Sequence, residues 1–283
     1  MDHDPFRWGR PRDDIYGKYD YSIANSEHYF QEHKDKYSEF PRMNTQEPIV
    51  TGTSVIGIKF EDGIIMAADN LGSYGSLSRF TDIERLIEFN DKTVVGISGD
   101  ISDLQKIERL LEELKIESSY DDVNIEFQAD NIHKYLRNVL YSRRNKMDPL
   151  WNSLIVGGIG SDNEPFLKYV DLLGVEYASP ALSTGFGNYL AIPILRKFLE
   201  EKGIDETKTD SDNFRNIKEE EARKCVLECM KVLFYRDARS LNKFSIVTIS
   251  KKNGIKLEKN LKIEDMSWEF AKDIKGYGNG QRY

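Results

Sequence analysis

The chain has 283 residues, 39% of them hydrophobic, and a formal net charge of -8 at pH 7. That length suits one large α/β domain with appendages, or two small domains, with enough apolar residues for a sizeable core. The acidic balance argues against nucleic acid as the main partner, since phosphate binding needs clustered Lys and Arg, and no apolar run approaches the roughly 20 residues of a membrane span.

Residues 1–44 read differently from the rest. They carry Phe6, Trp8, Tyr16, Tyr19, Tyr21, Tyr29, Phe30, Tyr37 and Phe40, but only Ile15 and Ile23 as branched aliphatics. Such a stretch cannot build its own core. It is expected to be an extension that is removed, or that docks on a partner through its aromatics; a plain disordered tail is the alternative. The opening MDHDPFRWGRPRDD also lacks the apolar region of a secretory signal. The expectation is a protein of the cytoplasm and nucleus with reduced thiols.

From Thr53 the pattern changes. In TSVIGIKF, the residues Ile56, Ile58 and Phe60 share one face of a period-2 strand. Glu61-Asp62-Gly63 makes a turn, and IIMAAD is a return strand apolar enough to be buried on both faces. NLGSYGSLSRF reads as a loop. ERLIEF and TVVGISG read as two more strands joined by Asn90-Asp91. Ser102 and Gln105 form a capping-box pattern ahead of a helix with the stripe Leu104, Ile107, Leu111 and Leu114. A second helix, near 126–145, groups Ile132, Leu136, Val139 and Leu140. It ends on Arg143, Arg144 and Lys146, as the helix dipole favours.

Strands resume with SLIVGGIGS, PFLKYVDL and VEYASPALSTG. A third helix spans about 188–202 and stops at Gly203. The polar stretch GIDETKTDSDNFRNIKEE reads as a surface insertion, and a fourth helix covers about 218–236. KFSIVTIS and IKLEKNL make a hairpin across Asn253-Gly254. Strands, two helices, strands, two helices, strands: this order predicts an α+β fold, a four-layer α-β-β-α sandwich in which each sheet is covered by a helix pair. Residues 262–283 have no place in that scheme. They hold Met266, Trp268, Phe270, Ile274 and Tyr277, too many apolar anchors for a free tail, and are expected to contact other chains.

Metal and cofactor chemistry find little support. Cys225 and Cys229 lie one helical turn apart. They could be half of a metal site or two small core residues. No Cys/His pair stands at zinc spacing, which favours the core reading. His3, His28 and His33 fall in the N-terminal segment, and His133 lies within a helical pattern, where it reads as structural. No metal site and no cofactor are expected.

GTSVIGIKFEDGIIMAADN, VVGISGDISD, STGFGN and YRDARS, in this order, resemble the β-type subunits of the 20S proteasome over roughly residues 50–260. PFRWGRP, NTQEPIVTGTSV, MDPLWNS and WEFAKDIKGYG are similar to the beta-7 type of fungi. The resemblance implies the Ntn-hydrolase fold, with a propeptide at 1–44, the β-type domain at 45–261 and a C-terminal arm at 262–283. It also implies a 28-subunit hetero-oligomer of α and β subunits in four seven-membered rings, this chain in an inner ring. Such a particle carries out ATP- and ubiquitin-dependent protein degradation. Neither a nucleic acid nor a membrane is implied as a partner.

In that family a threonine hydroxyl attacks the peptide carbonyl, and the threonine's own freed α-amine, of pKa near 8, is the base. By resemblance, Thr53 holds the nucleophile's position and Asp69 that of the acid. Asp237 and Ser240 match the residues that orient the amine, and Gly99 the glycine whose amide stabilises the oxyanion. Two positions depart: the family's lysine falls on Arg85, bulkier and forked, and its later serine on Asn188. Processing of the beta-7 type falls at Asn44-Thr45, which leaves TQEPIVTG attached and Thr53 without a free amine. The expected function is therefore that of a non-catalytic subunit, whose arm clamps two half-particles together. The alternative is an active N-terminal threonine endopeptidase maturing to Thr53. A free-standing Ntn-type amidase is disfavoured by the apolar tail.

Overall fold

The alternation of apolar residues along each strand decides which layer that strand fills. The fold is described from a computed structural model over residues 47–120, 127–204, 212–264 and 266. The segment 1–44 with its expected processing site Asn44-Thr45, and the anchors Trp268, Phe270, Ile274 and Tyr277, lie outside the described residues.

In chain order the first strands are β1 (Val50–Gly52), β2 (Val55–Phe60), β3 (Gly63–Asp69), β4 (Gly72–Tyr74), β5 (Leu77–Phe80), β6 (Leu86–Asn90) and β7 (Thr93–Asp100). Helices α1 (Ile101–Tyr120) and α2 (Ala129–Asn145) follow. Then come β8 (Asn152–Ile159), β9 (Pro165–Val170), β10 (Glu176–Ala178) and β11 (Ala181–Ser183). Helix α3 (Gly187–Glu201), a 3-10 turn at Asp212–Asn216, helix α4 (Glu219–Arg236), β12 (Lys243–Ser250) and β13 (Gly254–Lys262) complete the order. One sheet has eight strands in the order β10-β9-β8-β7-β1-β4-β5, with β6 also on β7; the other has five, β11-β2-β3-β12-β13.

Three apolar clusters fill the three spaces between four layers. Ile56, Ile58 and Phe60 of β2 and Ile65 and Ala67 of β3 meet Leu195, Cys225, Cys229 and Leu233 of α3 and α4. The opposite faces of the same strands, Val55, Ile64, Met66 and Ala68, meet Val94, Ile155 and Leu167 of the eight-stranded sheet. The outer face of that sheet, Val95, Ile97, Leu154 and Val156, packs on Leu104, Ile107, Leu111, Ile132, Leu136 and Leu140 of α1 and α2. This is the four-layer α-β-β-α sandwich, and β3 is buried along its whole length because it faces apolar layers on both sides. The sheets approach closely around Met66. A Cβ on Gly96 would come within 2.7 Å of the Met66 methyl, and one on Gly157 within 2.6 Å of its sulfur.

Cys225 and Cys229 are free and buried, and the Cys229 thiol donates to Ala191 O at 3.8 Å. The hydrogen bond with Cys225 and burial push the Cys229 thiol up, so it stays neutral. His133 is buried, its ring edge against Phe166 and its Nε2 at 3.3 Å from Tyr169 O. Burial pushes its imidazole down. Among the described residues no three His, Cys, Asp or Glu gather as a metal site would need, and no helix is long and apolar enough to cross a membrane.

The structure corrects the expected elements in four places. NLGSYGSLSRF is two short strands, β4 and β5, because β1 supplies a partner that three residues of VTG do not announce. Helix α1 begins one residue before Ser102. Asp100 caps it, its Oδ2 accepting from the Ser102 and Asp103 amides at 2.9 and 3.1 Å, so the Ser102/Gln105 box is not used. VEYASPALSTG divides between β10 and β11, which belong to different sheets. The stretch from Gly203 is not wholly a surface insertion, since Ile204, Phe214 and Ile217 are buried.

The sandwich makes a stability prediction. Ile246 is fully buried on β12 against the α3/α4 pair. Ile246→Ala should cost about 2–5 kcal/mol, while Ile116→Ala, on an exposed side chain, should change stability by less than about 0.5 kcal/mol. Urea unfolding of the two variants distinguishes them.

Candidate functional site

Thr53 lies between the end of β1 and the start of β2, where the chain passes from one sheet to the other. The residues before it are an ordered strand. Thr51 pairs with Ser73 of β4 on one side and with Asp100 of β7 on the other, and Gly52 pairs with Gly99. Asp100 Oδ1 also accepts from the Ile49 amide at 3.1 Å. While these residues stay attached, the nitrogen of Thr53 is a peptide amide at the end of a laddered strand. An amide is not a base at neutral pH.

Arg85 is the centre of the site. It is 1% exposed and the largest fully buried side chain among the described residues. A guanidinium has five N–H donors, and all five have acceptors here. Nε donates to Asp69 O at 3.0 Å. One terminal nitrogen donates to Thr53 O at 2.8 Å and Ile97 O at 3.3 Å. The other donates to Ser54 O at 2.9 Å and to the Asp69 carboxylate. The side chain also packs on Gly52, where an added Cβ would collide with Arg85 Cδ.

Asp69, at the end of β3, answers the charge. Its second oxygen accepts from the Leu241 amide at 3.1 Å. Burial pushes its carboxyl up to about 6, while the Arg85 guanidinium and the Leu241 amide pull the other way, so it is ionised at neutral pH. A charged Asp69 is also what the buried guanidinium requires.

The Thr53 hydroxyl donates to Asp237 Oδ2 at 2.6 Å and lies 3.5 Å from the Ser54 hydroxyl. Asp237 Oδ1 accepts from the Arg239 amide at 2.9 Å. A carboxylate is a weak base for a hydroxyl, whose pKa lies far above its own. The Ser240 hydroxyl donates to Leu233 O at 3.1 Å and Asp237 O at 2.7 Å, closing the end of α4. Gly99 has φ +95°, and a Cβ there would strike Trp151 O. Asn188 is exposed in the first turn of α3, its amide donating to Gly185 O at 3.3 Å.

The structure therefore brings together Thr53, Asp69, Arg85, Gly99 and Asp237, and leaves Ser240 and Asn188 to local roles. It adds residues that the sequence reading did not single out. Ser54 Oγ accepts from the Gly187 amide at 2.8 Å, and Thr184 Oγ1 from the Val55 amide at 2.8 Å. Asn152 Nδ2 donates to Ser98 O at 3.0 Å and Asp100 O at 2.9 Å. Such side chains serve backbone groups, and nothing in their spacing marks them. A cleft of about 610 Å3 remains above Thr53, lined among others by Thr51, Gly99, Phe186 and Arg239.

Comparison with known proteins adds the following. The sequence model described as "Proteasome subunit" matches residues 49–249. The chain is 51% identical over 283 residues to proteasome subunit beta type-7 of Saccharomyces cerevisiae, covering 98% of each chain. It is 46% identical over 273 residues to the probable proteasome subunit beta type-7 of Schizosaccharomyces pombe, covering 96% of this chain and 95% of the other. It is 44% identical over 237 residues to proteasome subunit beta type-4 of Xenopus laevis, covering 84% of this chain and 92% of the other.

The buried pair predicts two outcomes. Asp69→Asn strands the Arg85 charge and should cost about 3–5 kcal/mol. Arg85→Lys offers three donors where five acceptors wait, and each buried group left unpaired costs about 1–3 kcal/mol. It should therefore destabilise the chain rather than restore a peptidase, as thermal unfolding and peptide cleavage assays can read.

Proposed function

The chain belongs to the proteasome subunit family, and from that premise we propose that it is a beta-7-type subunit of the 20S core particle that does no catalysis itself. One observation supports the reading: the residues ahead of Thr53 are a paired strand, and while they stay attached Thr53 has no free amine. Beside it, the position that resemblance gives to a lysine holds Arg85, every donor of which is spent on the fold. Among the described residues the hydroxyl has a carboxylate partner and no amine. On this reading Asp69, Gly99, Asp237 and Ser240 are kept for the hydrogen bonds they make within the fold.

The role is then architectural. The subunit occupies an inner ring of a particle of four seven-membered rings, 28 subunits in all, and supports ATP- and ubiquitin-dependent protein degradation in the cytoplasm and nucleus. Its assembly with other α and β subunits follows from the family, and the ring count and location are part of the proposal. The C-terminal arm, with Trp268, Phe270, Ile274 and Tyr277, would bury its aromatic anchors on the facing ring and hold two half-particles together. Desolvated aromatic anchors contribute about 2 kcal/mol or more each.

Three measurements test this. Intact mass of the chain from assembled particles should place its first residue at Thr45 or close to it; a chain beginning at Thr53 would favour the active endopeptidase. Thr53→Ala should leave particle yield and all peptidase activities unchanged, and selective loss of one activity would count against the proposal. Deleting 268–283 should raise the ratio of half to full particles on native gels, and an unchanged ratio with unchanged salt stability would refute the clamp.

A further inference from the structure

β10 closes one edge of the eight-stranded sheet. Among the described residues it pairs with β9 alone, Glu176 opposite Val170, Tyr177 opposite Tyr169 and Ala178 opposite Lys168. All three residues of β10 are exposed, and a short edge strand with few buried contacts is the kind of element that opens at low cost. The turn before it lies on α2, where a Cβ on Gly174 would come within 3.0 Å of Tyr141 Cβ. Turn and strand together present Leu173, Val175 and Tyr177 to solvent.

Against this edge α2 sets His133, which is 1% exposed. Its Nε2 lies 3.3 Å from Tyr169 O and its Nδ1 3.5 Å from Glu176 Oε2. A carbonyl only accepts, so the neutral ring carries its proton on Nε2 and turns the Nδ1 lone pair to Glu176. That same carboxylate oxygen is shared with Arg137 Nε at 3.6 Å. From β9, Lys168 stands over the Phe166 ring at 5.6 Å, and Phe166 lies edge-on against the imidazole. α1 and β8 turn apolar side chains to this layer, Ile107, Leu111, Leu154 and Val156 among them. Asp130, one turn earlier on α2, is taken up by the Ser161 amide and hydroxyl. A proton on Nδ1 would thus make a third cation beside Arg137 and Lys168, out of water, with one shared carboxylate to answer it. Burial, with those two cations, holds the imidazole below its ordinary value of 6.5, against the pull of Tyr169 O and Glu176.

We propose that β10 is an acid-released flap: a neutral His133 lets the strand lie closed over α2, and a protonated His133 frees it. Lifting β10 carries Glu176 away and admits water to the ring. In that open form the imidazole titrates near 6.5, as in an unfolded chain, while in the closed form it titrates lower. The open form therefore binds more protons below that pH. The advantage of the closed form is full above about pH 6.5 and is lost as pH falls toward the closed ring's lower value. Acid then unsettles the face that carries Leu173, Val175 and Tyr177 and leaves the inner strands in place. Neither Thr53 nor the residues ahead of it enter this device.

The test is amide hydrogen exchange on the full chain, in the assembly it is purified in, at about pH 7.5 and about pH 5.5 with intrinsic exchange corrected for. Exchange across residues 173–178 should quicken severalfold in acid, up to about tenfold, because the lower pH lies about one unit below the open ring's value. Ile64–Ala68 of β3 should stay as protected as before. His133→Gln, whose amide can still donate to Tyr169 O, should remove the pH dependence. Lys168→Met takes away a cation and should shrink it, and Glu176→Gln takes away the anion and should enlarge it. No quickening in the unaltered chain, or the same quickening in His133→Gln, would overturn the proposal. Should His133→Gln fail to fold, the opposed shifts of Lys168→Met and Glu176→Gln decide, and equal pH dependence in both overturns it. Acid loosening that reaches Ile64–Ala68 to the same extent also overturns it, because the chain would then be opening as a whole.

Discussion

A guanidinium withdrawn from water is costly unless its charge is matched and every donor finds an acceptor. Arg85 meets both conditions, and the surrounding chain is arranged as it must be for that to happen. Its acceptors come from Thr53 and Ser54, between β1 and β2, from Asp69 at the end of β3, and from Ile97 within β7. These belong to both sheets. The side chain thereby fixes how the two sheets meet at this end of the molecule, and the carboxylate of Asp69 supplies the charge that makes the burial tolerable.

The position of Arg85 follows from a backbone problem. A chain that leaves one sheet and enters another has residues in the crossing with no ladder partner, and buried carbonyls without partners are destabilising. The crossing here is Thr53-Ser54. Arg85 takes both carbonyls, Thr184 takes the Val55 amide, and Ser54 in turn takes the Gly187 amide. The inter-sheet space behind the crossing is filled by Val55, Met66 and Leu86, with Gly96 and Gly157 leaving room for Met66. A lysine would pair with Asp69 and still leave part of the crossing unserved, since it has three donors.

The layers were legible in the sequence because burial on alternate faces leaves a period-2 record. Ile56, Ile58 and Phe60 lie on one face of β2 and reach the α3/α4 cluster, and the α-β-β-α order follows from the runs of strands and helices. The short strands β1, β4 and β5 were not legible. Each has three or four residues, too few for any period, and β1, which carries the β4–β5 hairpin, finds its partners far along the chain. The positions of Thr53, Asp69 and Asp237 were found by resemblance, and the structure places them together. Ser240 and Asn188 came by the same route; the Ser240 hydroxyl serves the end of α4 and Asn188 is exposed on α3. The donors of Arg85 could not be read at all, since a sequence does not show which carbonyls a buried guanidinium will meet.

The polar groups around Thr53 are also tied into the backbone. Here Asp69 joins the end of β3 to the turn at Leu241, Asp237 holds the Arg239 amide and the Thr53 hydroxyl, and Ser240 closes the last turn of α4. Of the site's side-chain atoms, Asn152 Oδ1 is the one buried without a partner, and Asn152 spends its amide on the β7 carbonyls that bracket Gly99. Residues that resemble a catalytic set thus also fasten together β3, α4 and the strand that follows. Their loss would be felt first as a loosening of the turn from Asp237 to Leu241 and of the sheet crossing beside it, where the same hydrogen bonds hold the backbone.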